Sequence, residues 1–158
     1  MISYVMETRR RGLFLGVVVL TLALLSGCAI QLVSSYDEKT DAAVTALQRK
    51  FESFFVKLEG LKVPPACGHE ANKTFYDESK VDVSAIQVRA AAVPQNEITI
   101  EQAELLSQNL RLLEQLHELK GKTRCLSSDE IKPLRQAFIS SLTAILKLEL
   151  AKKRGQAK

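Results

Sequence analysis

Apolar residues recur at helical spacing in four segments of this chain, and this periodicity limits the fold more than any other feature. In the first segment Val44, Leu47, Phe51, Phe54 and Leu58 advance by alternating steps of three and four residues, which is typical of one face of an α-helix. Each segment is about 20–24 residues long, or about 30–36 Å as a helix. The pattern therefore predicts an all-α fold, a four-helix up-down-up-down antiparallel bundle over residues 36–152.

Residues that begin or end helices separate the four segments. Gly60 and the pair Pro64-Pro65 stop the first helix, and Ser34 or Ser35 is its expected cap. Capping-box patterns mark two later starts. The predicted helices are 36–59, 72–93, one that begins at Asn96 or at the Thr99–Gln102 box and stops at Gly121, and one that begins at the Ser127–Glu130 box and ends near Ala151.

The third and fourth segments supply most of the predicted core. A leucine-rich face covers much of the third, and a helix this apolar is expected to bury that face between neighbours on two sides. Its members are Leu105, Leu106, Leu110, Leu112, Leu113, Leu116 and Leu119. The inward residues of the fourth segment are Ile131, Leu134, Phe138, Leu142, Ile145 and Leu146. We therefore expect Leu110 and Phe138 to lie in the core.

The N-terminal residues 1–27 have the pattern of an export signal. Arg9, Arg10 and Arg11 form a positive region, and residues 12–25 carry no charge. This apolar run is short for a membrane-spanning helix, which needs about 20 residues. We expect a helical signal segment here, closed by the sequence Leu25-Ser26-Gly27-Cys28.

The sequence Leu25-Ser26-Gly27-Cys28 resembles the lipobox of bacterial lipoproteins. The resemblance implies that a diacylglyceryl group is attached to the sulfur of Cys28, and that the signal is cut between Gly27 and Cys28. Acylation with fatty acids such as palmitate would make the lipid bilayer a partner and residues 28–35 a lipidated tether. Ala29 stands where an Asp would imply retention at the inner membrane, so the same family implies the outer membrane, with the domain facing the periplasm. The alternative is an ordinary signal anchor with a chance cysteine.

Two cysteines remain once Cys28 is lipidated. Export places Cys67 and Cys125 in an oxidising compartment, where a disulfide between them is the default expectation. The up-down-up-down order brings the first and third connections, which contain these cysteines, to the same end of the bundle. The fold and the pairing therefore agree.

The charge balance excludes a nucleic-acid-binding role. The chain has 22 basic and 18 acidic residues. Removing residues 1–27 removes three arginines and one glutamate, which leaves 19 basic and 17 acidic residues and a net charge of +2. The basic residues concentrate in the last residues of the chain, and we expect residues 153–158 to form a frayed basic tail.

No pattern in the sequence indicates catalysis, a cofactor or a metal. His69, His117, Cys67 and Cys125 could be drawn as a metal site, but their spacing is not a usual zinc pattern, and a disulfide is favoured. The chain lacks a glycine-rich phosphate loop and a nucleophile elbow. We predict that the protein is not an enzyme and has neither a catalytic residue nor a metal ligand.

The part after the lipobox is similar to small, uncharacterised helical lipoproteins of proteobacteria. The similarity lies in Tyr36-Asp37-Glu38 and in the run Thr45–Lys50, and it implies no activity. In architecture alone the chain is similar to pilotins, lipidated helical bundles that escort secretin subunits. We expect a non-catalytic scaffold, adaptor or assembly factor with an envelope protein as partner. The alternative is a carrier of an apolar ligand or lipid, which needs a slot between helices rather than an exposed groove.

Overall fold

The computed structural model describes residues 33–120 and 124–156, which fold into four α-helices and one short 3-10 turn. The helices are α1 (Glu38–Gly60), α2 (Lys73–Ala92), α3 (Glu97–Leu119) and α4 (Ser128–Gln156). The 3-10 turn, Glu70–Asn72, leads directly into α2. The helices pack against each other in a ring, each on the next and α4 on α1. The predicted all-α four-helix bundle is confirmed.

Contacts between the ends of α1 and α4 show that these helices are antiparallel. Arg135, near the start of α4, pairs with Glu52 and Glu59 in the second half of α1. At the opposite end, the backbone N–H of Asp37, just before α1, donates to Glu149 near the end of α4 at 3.0 Å. The start of each helix therefore lies beside the end of the other.

The other three pairs of neighbouring helices are antiparallel as well. Lys57 in the last turn of α1 donates to Asn72, just before α2. Tyr76 in the first turn of α2 bonds to His117 in the last turn of α3. Lys152 late in α4 donates across the bundle to Asn96, which precedes α3. The helix order is therefore up-down-up-down, with the first and third connections at one end.

Aromatic and aliphatic side chains fill the space between the helices. Phe51 of α1 stacks on Phe138 of α4 with ring centroids 4.0 Å apart, and Phe54 stacks on Phe75 of α2 at 3.6 Å. Leu110 is 2% exposed, so both residues expected in the core are in it. The inward faces predicted for α1 and α4 point to this core, with Leu134 and Leu146 partly buried at its edge.

The predicted cap of α1 is wrong. Asp37, rather than Ser34 or Ser35, caps α1, and its side chain accepts the N–H of Lys39. Of the two starts considered for α3, Asn96 is confirmed and the Thr99–Gln102 box is not, because the helix begins at Glu97, directly after Asn96. The start of α4 agrees better with the prediction, since Glu130 accepts hydrogen bonds from both the N–H and the hydroxyl of Ser127.

The predicted frayed tail is also wrong. Helix α4 continues to Gln156 instead of ending near Ala151, and Lys153 and Arg154 lie in its last turns as exposed residues. The stop predicted at Gly121, the export signal over residues 1–27 and the lipidation site at Gly27-Cys28 lie outside the described residues. Within the described ranges, no helix combines the length and the apolar character needed to cross a bilayer.

Candidate functional site

An apolar stripe lies on the outer surface of α3. Ile98, Leu105, Leu112 and Leu119 recur every seven residues and are 52%, 47%, 58% and 80% exposed. We call these four residues the α3 stripe. The expectation that Leu105, Leu112 and Leu119 are buried is therefore wrong. The reason is geometric: among the described helices α3 packs against α2 and α4 alone, so its apolar face is wider than the surface that these neighbours cover.

A groove between α3 and α4 adjoins the stripe. It has a volume of about 350 Å³ and is lined by Leu112 and Leu116 of α3 and by Pro133, Leu134 and Ala137 of α4. Leu112 belongs to both the groove and the stripe, and Pro133 is exposed, so the groove opens to solvent. We call it the α3–α4 groove. The stripe and the groove share Leu112 and form one largely apolar surface, with Asn109, Asp129 and Glu130 as the polar part of the groove lining.

Acidic residues flank the stripe on the side away from α4. At about 100° per residue, Glu97, Glu101, Glu104 and Glu118 lie on the opposite side of the stripe from the groove. All four are exposed. The single Lys or Arg within α3 is Arg111, which donates to Ser107. The surface beside the stripe is therefore negatively charged.

A buried polar cluster occupies the end of the bundle that holds the first and third connections. The structure joins Cys67 and Cys125 in a disulfide with Cα atoms 5.3 Å apart, inside the limit of about 7 Å for such a bond. His117 and Tyr76 beside it are fully buried. The predicted pairing is thus present, and it leaves no thiolate at Cys67 or Cys125 to bind a metal.

The hydrogen bonds of His117 fix its tautomer. Its Nε2–H donates to the carbonyl of Cys67 at 2.7 Å, so its Nδ1 accepts the hydroxyl proton of Tyr76, also at 2.7 Å. Burial lowers the pKa of His117 and raises that of Tyr76. A neutral imidazole with both nitrogens engaged holds the first connection against α3. It has no free lone pair for a metal or for proton transfer.

His69 lies at the edge of this cluster and faces α3. Its Nε2 is 3.5 Å from Glu114 and 3.6 Å from Glu118, and it has no hydrogen-bond partner. Lys80 of α2 pairs with the same Glu114 at 2.7 Å. Sequence reasoning named His69 but missed the two glutamates. The signal was their spacing of four residues, which places both carboxylates on one face of α3.

A second buried polar cluster lies at the opposite end of the bundle. The ammonium of Lys152 donates to Asn96 at 2.6 Å, to Thr99 at 2.9 Å and to Glu149 at 2.6 Å. The Ser34 hydroxyl donates to Asn96 at 2.8 Å. Every proton of the ammonium is used, which identifies the cluster as structural. It fixes Ser34, near the end of the predicted tether, to the bundle.

The fold and this surface define a class: a disulfide-bonded, antiparallel four-helix bundle with an apolar groove on one side and a polar cluster at each end. No protein-family model matches the chain, and no curated protein or solved structure is significantly similar to it.

Proposed function

We propose that this chain is a bacterial envelope lipoprotein whose bundle binds a partner protein without catalysing a reaction. In this proposal the signal over residues 1–27 is removed and acylated Cys28 anchors the protein, at the outer membrane as Ala29 implies. The role is that of an adaptor or assembly factor of the pilotin-like kind. The observation that carries the proposal is the largely apolar surface made by the α3 stripe and the α3–α4 groove.

The best-matched partner is an amphipathic helix with basic residues along one edge. A seven-residue spacing of apolar side chains is the pattern by which one helix packs along another. Ile98 and Leu119 are 21 residues apart, so the stripe offers about 32 Å of contact along the helix. Lysine or arginine residues on the edge of the partner would face Glu97, Glu101 and Glu104 of α3.

The buried polar cluster around Lys152 lies at the end of the bundle that the predicted tether joins, which we call the tether end. This cluster supports anchoring close to the membrane. Ser34 is fixed to the bundle through Asn96. Ser34 is only six positions after Cys28, so the chain between them can span about 20 Å at most. A lipid on Cys28 would therefore hold this end of the bundle near the bilayer.

A carrier of an apolar ligand is the second candidate, because the volume of the groove falls within the range of small-molecule sites, about 300–1,000 Å³. The shape favours a protein partner. Leu112 on the groove wall is more than half exposed, whereas ligand sites bury most of the ligand surface. The central core is also filled by stacked aromatic rings.

Site-specific photocrosslinking in living cells tests the proposal. A photoreactive residue at Leu112 should crosslink to one envelope protein, through a segment that is an amphipathic helix with basic residues. The same residue at Val56, an apolar position on α1 with 55% exposure, is the matched control and should give no such product. Fatty-acid labelling of the wild type and of Cys28→Ser tests the anchor separately.

A charge substitution links the surface to the function. With the photoreactive residue kept at Leu112, Leu105→Glu with Leu119→Glu should abolish the crosslink and leave the thermal unfolding transition unchanged, while Val56→Glu should alter neither. Equal crosslinking from Leu112 and Val56 would refute the docking surface. A lipid or other apolar molecule held in the groove of the purified protein, detected by native mass spectrometry, would favour the carrier instead. Fatty-acid label that persists on Cys28→Ser would refute the lipidation site.

A further inference from the structure

The disulfide end of the bundle contains a set of side chains that neither the core nor the docking surface explains. His69 is nine-tenths buried, and its Nε2 has no hydrogen-bond partner. A buried imidazole nitrogen without a partner costs free energy, so such an atom calls for an explanation. This one is directed at two carboxylates of α3. We propose that His69, Glu114 and Glu118 bind a divalent transition-metal ion, with zinc as the best match.

The distances fit a tetrahedral metal site. Ligand atoms about 2.1 Å from a zinc ion lie about 3.4 Å from each other in a tetrahedral arrangement. The Nε2 of His69 is 3.5 Å from a Glu114 oxygen and 3.6 Å from a Glu118 oxygen. All three ligand atoms lie within 4.8 Å of one another. Small rotations of the exposed Glu118 side chain would complete the arrangement and leave one position open to water.

The chemistry of the three groups also fits. Imidazole nitrogen and carboxylate oxygen are both common zinc ligands. Two carboxylates balance the charge of a divalent ion, and a neutral imidazole adds none. A hydrogen bond from His69 to a carboxylate is the simpler use of these groups, but neither glutamate oxygen is within hydrogen-bonding distance and geometry of Nε2.

The backbone around His69 is held in place before any ion binds. Cys67, two residues earlier, is bonded to Cys125, and its carbonyl accepts from His117, the residue before Glu118. The amide of Asn72 donates to the carbonyls of Ala66 and Gly68. Binding would therefore require little ordering of the chain, which favours affinity.

Lys80 is the competing cation at this site. Its ammonium lies 2.7 Å from the Glu114 oxygen that faces His69. The Lys80 side chain is 47% exposed, so it can leave the carboxylate and remain solvated. Removing its charge should strengthen metal binding. A cluster that serves only as an ion-pair network would not gain affinity for a metal from this change.

Isothermal titration calorimetry with zinc ions tests the proposal on the full-length protein in detergent, freed of metal by a chelator and without a polyhistidine tag. We expect one zinc per chain. His69→Ala and Glu118→Gln should each weaken binding at least tenfold. Lys80→Met should tighten it severalfold. Glu78→Gln is the matched control, since its side chain is 58% exposed against 54% for Glu118, and it should leave the affinity unchanged.

A second readout identifies the ligands. Cobalt ions in place of zinc should give visible absorption bands of a four-coordinate site, and Glu118→Gln should remove them. Glu118 lies at the surface, so this variant is expected to fold normally, which circular dichroism can verify. Absence of zinc binding by the wild type, or equal affinity in Glu118→Gln and Glu78→Gln, would overturn the proposal.

Discussion

The buried pair Lys152 and Glu149 offers the sharpest test of how the tether end is held together. Their side chains are 3% and 1% exposed. Lys152→Met keeps most of the buried volume but removes all three donors of the ammonium. The Glu149 carboxylate then remains buried with the backbone N–H of Asp37 as its closest donor. This bond and a longer one from the Thr99 hydroxyl, at 3.5 Å, do not replace a countercharge inside a protein.

The expected loss in the free energy of unfolding follows from the loss of that countercharge. Removing one partner of a buried ion pair costs about 3–5 kcal/mol, which is a large share of the total stability of about 5–15 kcal/mol for a domain. Adding Glu149→Gln to Lys152→Met removes the uncompensated charge and keeps an acceptor for Asp37. The double variant should therefore lose only about 1–3 kcal/mol, the cost of imperfect hydrogen bonding.

Urea unfolding followed by circular dichroism measures the free energies of unfolding of the wild type, Lys152→Met, Glu149→Gln and the double variant. Lys153→Met is the matched control, because Lys153 is exposed and its ammonium lies over the face of the Tyr36 ring, 4.9 Å from the centroid. It should change stability by no more than about 1 kcal/mol. If Lys152→Met costs as little as the control, or the double variant loses the sum of the two single losses, the buried pair is not the stabilising element described above.

Three further outcomes are expected. Replacing Cys67 and Cys125 with Ala should lower the free energy of unfolding by about 4 kcal/mol, because the bond closes a loop with a sequence separation of 58, and chemical denaturation would show it. Leu110→Ala should cost about 2–5 kcal/mol in the same assay. The hydrogen bond from Arg89 lowers the pKa of Asp37 to about 2. Its stabilising effect should be complete above pH of about 4 and lost as the pH falls to about 2. The stability gap between the wild type and Asp37→Asn should narrow over that range.

The helices and their order could be predicted from the sequence because both depend on local or repeated signals. The apolar spacing in α1 places Val44, Leu47 and Phe51 on one face whatever the neighbours are, and all three are buried. Gly60 and the pair Pro64-Pro65 set the first connection. The pairing of Cys67 with Cys125 followed from the lipobox and export, and the predicted topology agreed with it, because short connections make neighbouring helices antiparallel.

The width of the apolar face of α3 misled the sequence analysis for a physical reason. Periodicity reports how far around a helix the apolar residues extend, but not how many neighbours cover them. Leu106, Leu110 and Leu113 meet the core, while Leu105 and Leu112 lie beyond the reach of α2 and α4. The excess apolar width forms the proposed docking surface, so the leucines whose burial was wrongly predicted are the residues on which the proposed function rests.

The polar clusters escaped prediction because they depend on contacts between distant parts of the chain. Lys152 and Glu149, three residues apart on a charged helix end, have the pattern of a solvated surface pair. Only the packing of Asn96 and Thr99 over them shows that they are buried. The position of His69 beside Glu114 likewise depends on how the first connection folds against the end of α3.

The charges at the tether end would influence how the bundle, and with it the proposed docking surface, is oriented at a membrane. With Cys28 in the bilayer, Lys153 and Arg154 at the end of α4 would lie near anionic head groups, where each basic residue contributes about 1 kcal/mol of attraction. Glu97 and Glu101 at the start of α3 lie at the same end and would be repelled. The two effects act together to turn the end of α4 towards the lipid and the α3 stripe away from it. The stripe would then remain open to a partner helix along its full length, from the tether end of the bundle to the disulfide end.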